Sequence, residues 1–454
     1  MKTMLAALFC LVGVTANAPS ADWPQWFGPE RDGVWHEIGL VEKFPPGGPH
    51  IVWRIPLGGG YSGPSVAGGR VYVMDRVRTK DAKGQLARNT RDGIPGNEAV
   101  LCLDTATGKV VWKREYPCPY QISYPSGPRC TPLIDGDRVY TLGAMGDLLC
   151  MEKASGKVIW SKNIAKEFKT DPPVWGYAAS PLLEGDRLIC MVGGEGSAVV
   201  AFDKRTGKEI WKALTSEEIG YSPPMIYEAG GKRQLVIWIS ESLNSLDPET
   251  GKPYWTQAYP VDTKVQRPAV NIITVKRDGN HLFLSTFYHG PMLLELAADK
   301  PAVKVLWHGK SNNPTKPDGI HSLMAAPVFK DGNIYGVCAM GELRCIDAAT
   351  NKQLWQTYQA TGGKRSDCGT AFIVPQGDRF VIFNDQGELI LAKLSAAGYQ
   401  EIDKFKILEA SEAARGRMVV WSHPAFANRC VFARNDKEMV CVSLSAAEEK
   451  KESP

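Results

Sequence analysis

Beyond its N-terminus, this 454-residue sequence has no run of apolar residues long enough to cross a membrane as a helix. It has no adjacent cysteine pair, no Cys-x-x-Cys and no Cys-x-x-Cys-His, so neither a zinc site nor covalent haem attachment has support. The seven histidines fall into no His-x3-His or His-Glu-x-x-His pattern, and Gly-x-Ser-x-Gly does not occur. Gly193-Gly194-Glu195-Gly196 reads as a hairpin turn, not a phosphate loop. No catalytic or metal-ligating residue is assigned on these grounds. A net charge of +4 is too small to argue for nucleic acid. Amphipathic helical periodicity is missing after residue 20, which leaves an almost wholly β chain.

What the sequence does contain is a repeat. It reads LCLDTATGKVVW at 101–112, LCMEKASGKVIW at 149–160, VAFDKRTGKEIW at 200–211, NSLDPETGKPYW at 244–255 and CIDAATNKQLW at 345–355. Self-similarity at a period of about 45 to 50 residues points to a propeller, solenoid or array. An apolar run precedes each Asp and another ends in Trp, so each unit is a hairpin. Its Asp caps a turn and its Gly takes the left-handed position. Asn351 is the usual substitute for that Gly. A second strand pair lies upstream, as in 132–142, 181–191 and 327–337. Four strands per repeat make a propeller blade.

Repeat-end tryptophans occur at Trp112, Trp160, Trp211, Trp255, Trp307 and Trp355. A seventh repeat, 380–407, is degenerate, and an eighth, 430–444, stops before its Trp. The segment 51–56, with Trp53 in the expected place, is an orphan outer strand. These features predict an all-β, eight-bladed propeller of four-stranded blades over residues 50–445, its ring closed by the N-terminal strand around Trp53. That closure removes an exposed sheet edge.

The flanks read differently. Lys2, the apolar run 4–14 and Ala16-Asn17-Ala18 have the form of a cleaved signal peptide over 1–18, with a cut after Ala16 as the alternative because Pro19 follows Ala18. Residues 19–49 form an aromatic-rich extension and 446–454 a disordered tail. A monomeric periplasmic or secreted protein is expected.

Most of the eleven cysteines belong to the repeat. Cys102, Cys150, Cys345 and Cys441 share one register position, where other repeats carry Ala201 or Ser245, and so fill a small buried slot. Cys190, Cys338 and Cys430 fall in second strands. Cys118 and Cys130 bracket a blade-to-blade loop and are the candidate disulfide in an oxidising compartment.

The repeat, together with its upstream Pro-x4-Gly-x-Val-Tyr pattern, resembles the pyrroloquinoline-quinone-like repeat family over about residues 50 to 445. The segment 22–35, DWPQWFGPERDGVW, is similar to the lead-in of many secreted bacterial members. The resemblance implies the propeller fold but spans quinoprotein dehydrogenases, an outer-membrane assembly factor and sensor domains, so fold does not choose among them. The dehydrogenases hold their quinone on the axis beside calcium, between a Trp and a disulfide of adjacent cysteines. This sequence lacks that pair and the Gly-Thr-Gly-Asn segment that usually accompanies it.

Topology places a binding mouth on the face formed by the blade-to-blade loops and the second-to-third-strand loops. Those loops hold Tyr61, Tyr124, Arg129, Trp175, Tyr177, Tyr221, Arg267, His321, Arg365, Asp367, Trp421 and His423. The same face carries an insertion in blade one with Arg76, Arg78, Lys80, Lys83, Arg88 and Arg91. A loop of that length is a lid, a docking element or a solvated flap. The reading is a binding or scaffold module for a protein or cell-envelope polymer, with no cofactor. The alternatives are an alcohol- or sugar-oxidising enzyme using pyrroloquinoline quinone with calcium, and a carbohydrate-binding propeller.

Overall fold

The computed structural model describes residues 22–81 and 83–446. The expected signal peptide, 1–18, and nearly all of the expected C-terminal tail lie outside the described residues. Eight four-stranded antiparallel sheets follow one another around a ring. Blade one is built from Ser65–Ala67, Arg70–Arg78, Gly96–Asp104 and Val110–Pro117, and blade two from Leu133–Asp135, Arg138–Leu142, Asp147–Glu152 and Val158–Asn163. Blade eight takes Ala425–Ala427, Cys430–Arg434 and Glu438–Ser443 from the C-terminus. Its outer strand is His50–Pro56 from the N-terminus. Trp53 pairs with Cys441, so the predicted closure is present in its predicted register.

The repeat is explained by what each Trp touches. On the third strand opposite Trp stands a small residue: Cys102 with Trp112, Cys150 with Trp160, Ala201 with Trp211, Ser245 with Trp255 and Cys345 with Trp355. Leu293 opposite Trp307 is the exception. The indole N–H then reaches into the next blade. Trp53 donates to the Thr105 carbonyl at 2.8 Å, Trp112 to Lys153 at 3.0 Å and Trp160 to Lys204 at 3.1 Å. The turn Gly of that next blade lies flat on the ring. A Cβ on Gly108, Gly156, Gly207 or Gly251 would come within 2.8, 2.5, 2.8 or 2.6 Å of the preceding Trp, and each has positive φ. Asp104 Oδ1 closes the turn by accepting from the Thr107 amide at 3.1 Å. Most repeats are therefore clasps between neighbouring blades; Trp255 is the exception, its indole donating to Gln234 Oε1 of its own blade at 2.8 Å.

Blade seven is complete despite its degenerate sequence, with strands Ala371–Gln376, Arg379–Asn384, Glu388–Ser395 and Gly398–Lys406. Asp403, opposite Leu391, stands where the other blades have Trp. Its carboxylate accepts from the Phe44 amide at 3.0 Å, and Phe44 is buried in the cluster that Phe405 packs against. The N-terminal extension supplies what the repeat omits. A two-stranded hairpin, Glu412–Ala414 with Arg417–Val419, lies between blades seven and eight and was not legible as a repeat element.

Candidate functional site

All eight blade-to-blade connections converge on one axial pocket with an empty volume of about 1080 Å³, its open mouth included. Its walls come from Tyr61, Tyr124 and Arg129, Trp175, Tyr221, Ile272, Met324, Cys368 and Trp421, taken in order around the ring. Aromatic rings pack in pairs: Trp175 lies 5.2 Å from Tyr221 and Tyr124 5.7 Å from Trp421. The Arg129 guanidinium sits 4.8 Å over the Tyr61 ring and donates to the Tyr124 carbonyl at 2.6 Å.

The pocket is blind because the N-terminal extension fills the axis beneath it. Trp23 bridges Val66 of blade one, the Ile134 amide of blade two donates to Pro24, and Arg31 donates to carbonyls of Pro181 (3.1 Å) and Pro224 (3.2 Å) ahead of blades three and four. Trp26 donates to Thr274 Oγ1 at 2.9 Å beside blade five, and the Trp35 amide donates to Pro375 in blade seven. A segment touching the inner strands of so many blades must cross the centre. Trp26 stacks on Phe27 at 4.5 Å, and both lie against His423, 5.2 and 5.1 Å away. Burial pushes the His423 imidazole down to about 4, so at neutral pH it is an uncharged part of an aromatic floor. Burial likewise lowers Arg31 to about 10 and Lys276 to about 8; Lys276 donates to the Asp32 carbonyl under that floor.

The 412–419 hairpin forms one rim. Its two-residue turn, Arg415-Gly416, has positive φ at both positions (50° and 75°), and Arg415 lines the pocket. Arg417 anchors the hairpin through a 2.6 Å ion pair to Asp385, a carboxylate 1% exposed. At the other end Glu412 accepts from the Tyr61 hydroxyl and, at 3.3 Å, from Ser126. Burial, reinforced by the nearby Asp436 carboxylate, raises the Glu412 carboxyl to about 7.

Seven of the mouth residues expected from sequence line this pocket: Tyr61, Tyr124, Arg129, Trp175, Tyr221, Trp421 and His423. The others do not. Tyr177 is a core side chain that donates to the Val192 carbonyl at 2.9 Å. His321 is fully buried between Asp318 at 3.2 Å and the Phe287 carbonyl. Arg267 is tied up by Glu217 and Glu241, both at 2.8 Å. Arg365 and Asp367 are exposed outside the pocket, Asp367 lying 3.8 Å from Arg415. Sequence reading missed Trp26, Arg415, Cys368 and Phe372. Only the aromatic richness of 22–35 offered a signal.

Two further expectations are corrected. Cys118 and Cys130 are free and buried in different clusters, Cys118 Sγ facing Asp147 at 3.6 Å and Cys130 Sγ the Tyr177 carbonyl at 3.7 Å. Burial raises both thiols. Arg76 is not a free insertion-loop cation: it is 2% exposed, lies 3.9 Å over the Tyr120 ring and donates to the Ile94 and Pro125 carbonyls. It holds the base of a basic arm. The arm extends blade one's second and third strands to nine residues each, against five and six in blade two. Arg78 is half-buried on it, whereas Lys80, Lys83, Arg88 and Arg91 are exposed and enter no ion pair among the described residues.

The pocket lining offers stacking faces and two guanidiniums but no carboxylate or amide side chain. Among the described residues no group of three or more His, Cys, Asp or Glu is placed to hold a metal. This donor set does not fit a calcium-bound quinone, which needs oxygen ligands at the ring edge.

A family model described as "Outer membrane protein assembly factor BamB" matches residues 96–357 and 240–453. The chain belongs to this family of PQQ-like propellers. It is 24% identical over 280 residues to the outer membrane protein assembly factor BamB of Burkholderia pseudomallei, a match covering 59% of this chain and 63% of that protein. The chain thus aligns with less than two thirds of that relative's length. Among solved structures, BamB from Moraxella catarrhalis superposes with a TM-score of 0.52 at 15% identity, covering 81% of this chain and 96% of that one. The quinohemoprotein alcohol dehydrogenase from Comamonas testosteroni superposes at 0.55 with 13% identity, covering 93% and 80%. At these identities the likeness is one of fold.

Proposed function

We propose that this propeller is an exported, envelope-associated binding module that grips a protein partner through its mouth face and carries no chemistry or cofactor of its own. The observation that carries the reading is the blind aromatic pocket at the convergence of all eight blade connections. Concave apolar sites with a few polar groups are where proteins take ligands and anchors, and buried aromatic and Arg groups dominate the energetics of protein interfaces. Membership of a family described by an assembly factor supports a protein partner and an envelope setting. The quinone alternative is weakened by the lack of carboxylate and amide oxygens in the lining. The carbohydrate alternative is less favoured because the lining has no carboxylate or amide to fix sugar hydroxyls bidentately, leaving only Tyr hydroxyls and guanidiniums beside the stacking rings.

The test is a photo-crosslinking residue placed at position 175 in the mouth and, in a second protein, at 205 in an Asp-turn on the opposite face, each expressed in its native host. Protein adducts from 175 and none from 205 are expected. Adducts from 205 alone, or from neither, would overturn the reading.

A further inference from the structure

A second cavity, about 880 Å³ with its open side included, lies beside the axial pocket. It is lined by Arg91, Thr90 and Gly93 of the basic arm and by Gln121, Ser123 and Val174. The two cavities share a wall. Ser123 and Val174 face the second cavity, their chain neighbours Tyr124 and Trp175 face the first, and the Ser123 amide donates to the Val174 carbonyl at 2.8 Å. The arm's cavity and the aromatic pocket thus lie on either side of one wall, and an extended chain laid across it as a track would reach both. Its two ends have different chemistry. The arm end carries the exposed, unpaired Lys80, Lys83, Arg88 and Arg91, and the pocket end is ringed by aromatics with Arg129 and Arg415 at its edge.

We propose that this track reads one continuous segment of the partner: an extended acidic stretch that drops a single aromatic side chain into the pocket. The proposal rests on the partner-binding reading above and names the partner's chemistry. Three features select this occupant. The floor closed by Trp26 limits entry to a side chain, so a strand or helix cannot pass through the ring. The lining holds no carboxylate to repel an acid, and Arg129 and Arg415 stand at its edge to attract one. The exposed cations of the arm have no intramolecular partner among the described residues, so an acidic chain meets charges that need not be released from another bond.

The probe is a fluorescein-tagged, amidated dodecapeptide of Asp, Glu, Gly and Ser with one central Phe, titrated against the mature protein by fluorescence polarisation. Two companion peptides replace Phe by Ala, or Asp and Glu by Asn and Gln. Both changes are expected to weaken binding at least tenfold, and raising salt from about 50 to 300 mM should weaken the Phe peptide further, because exposed charges are screened. The triple variant Lys80→Glu, Lys83→Glu, Arg88→Glu alters only exposed side chains. It should lose about tenfold for the acidic peptides and nothing for the neutral one. Trp175→Ala should weaken the Phe peptide while leaving the Ala peptide unchanged, the signature of a direct pair. Equal binding of the Ala or neutral peptide, competition by free N-acetyl-phenylalaninate at the peptide's own concentration, or no peptide binding below millimolar would each overturn the proposal. Adducts at position 175 combined with failure of these peptides would leave the partner-binding reading standing and remove only the acidic-aromatic assignment.

Discussion

At the scale of single residues, the chain's tryptophans fall into two kinds with opposite expected phenotypes. Trp211 is 8% exposed, faces Ala201 and donates to the Pro248 carbonyl of the next blade. Trp211→Ala empties a blade-to-blade clasp and should cost about 3–5 kcal/mol. Trp175 is half-buried in the mouth, its ring 5.2 Å from that of Tyr221. Trp175→Ala should cost clearly less in denaturant unfolding; the reverse ranking would show that the mouth and the scaffold have been confused. The same distinction sets what was readable. The clasp tryptophans, their small partners and the turn glycines recur at a fixed spacing, so the repeat exposes them. Tyr177 and His321 occupy the same loops as the true pocket residues and differ only in side-chain direction, which spacing does not encode.

At the scale of elements, the 412–419 hairpin is held at one end by a pH-sensitive contact. The Glu412 carboxyl, ordinarily near 4.5, is raised to about 7 by burial and Asp436, against the opposing pull of Tyr61, Ser126 and Arg129. A folded-state value above the unfolded one means that the contribution of Glu412 to stability is complete below about pH 4.5 and is lost as pH rises through about 7. Hydrogen exchange across residues 410–420, corrected for intrinsic rates, should therefore speed up from about pH 4.5 to about 7 and level off above that. Glu412→Gln should flatten that dependence, and an unchanged profile in the variant would assign the opening to another group. The hairpin itself escaped the sequence because it belongs to no repeat. The extension 22–49 escaped in a different way: its aromatic content was plain, but nothing in its own pattern says that its partners are the inner strands of a ring.

At the scale of the molecule, the ring is joined by a single strand. His50–Pro56 pairs along its whole length with Glu438–Ser443. Without it, blade eight presents an unpaired edge that templates association with other chains. Protein lacking residues 50–56 should aggregate or elute as oligomers in size-exclusion chromatography, whereas a monomer with unchanged melting would show that the closure is dispensable. The ring, its blade number and its closing strand were all legible from repeat counting, since counting needs only the motif and one orphan strand. The crossing of the axis by the N-terminal extension has a consequence in time. Trp23, Trp26, Trp35 and the closing strand His50–Pro56 leave the ribosome early, yet the partners they meet in and beside blades seven and eight, Pro375, His423, Phe426 and Glu438–Ser443, emerge near the end. Contacts this distant in sequence form slowly, so the earliest part of the chain waits for the latest. The closed ring is thus available only to a polypeptide that already includes blade eight, and a shorter nascent chain cannot complete it.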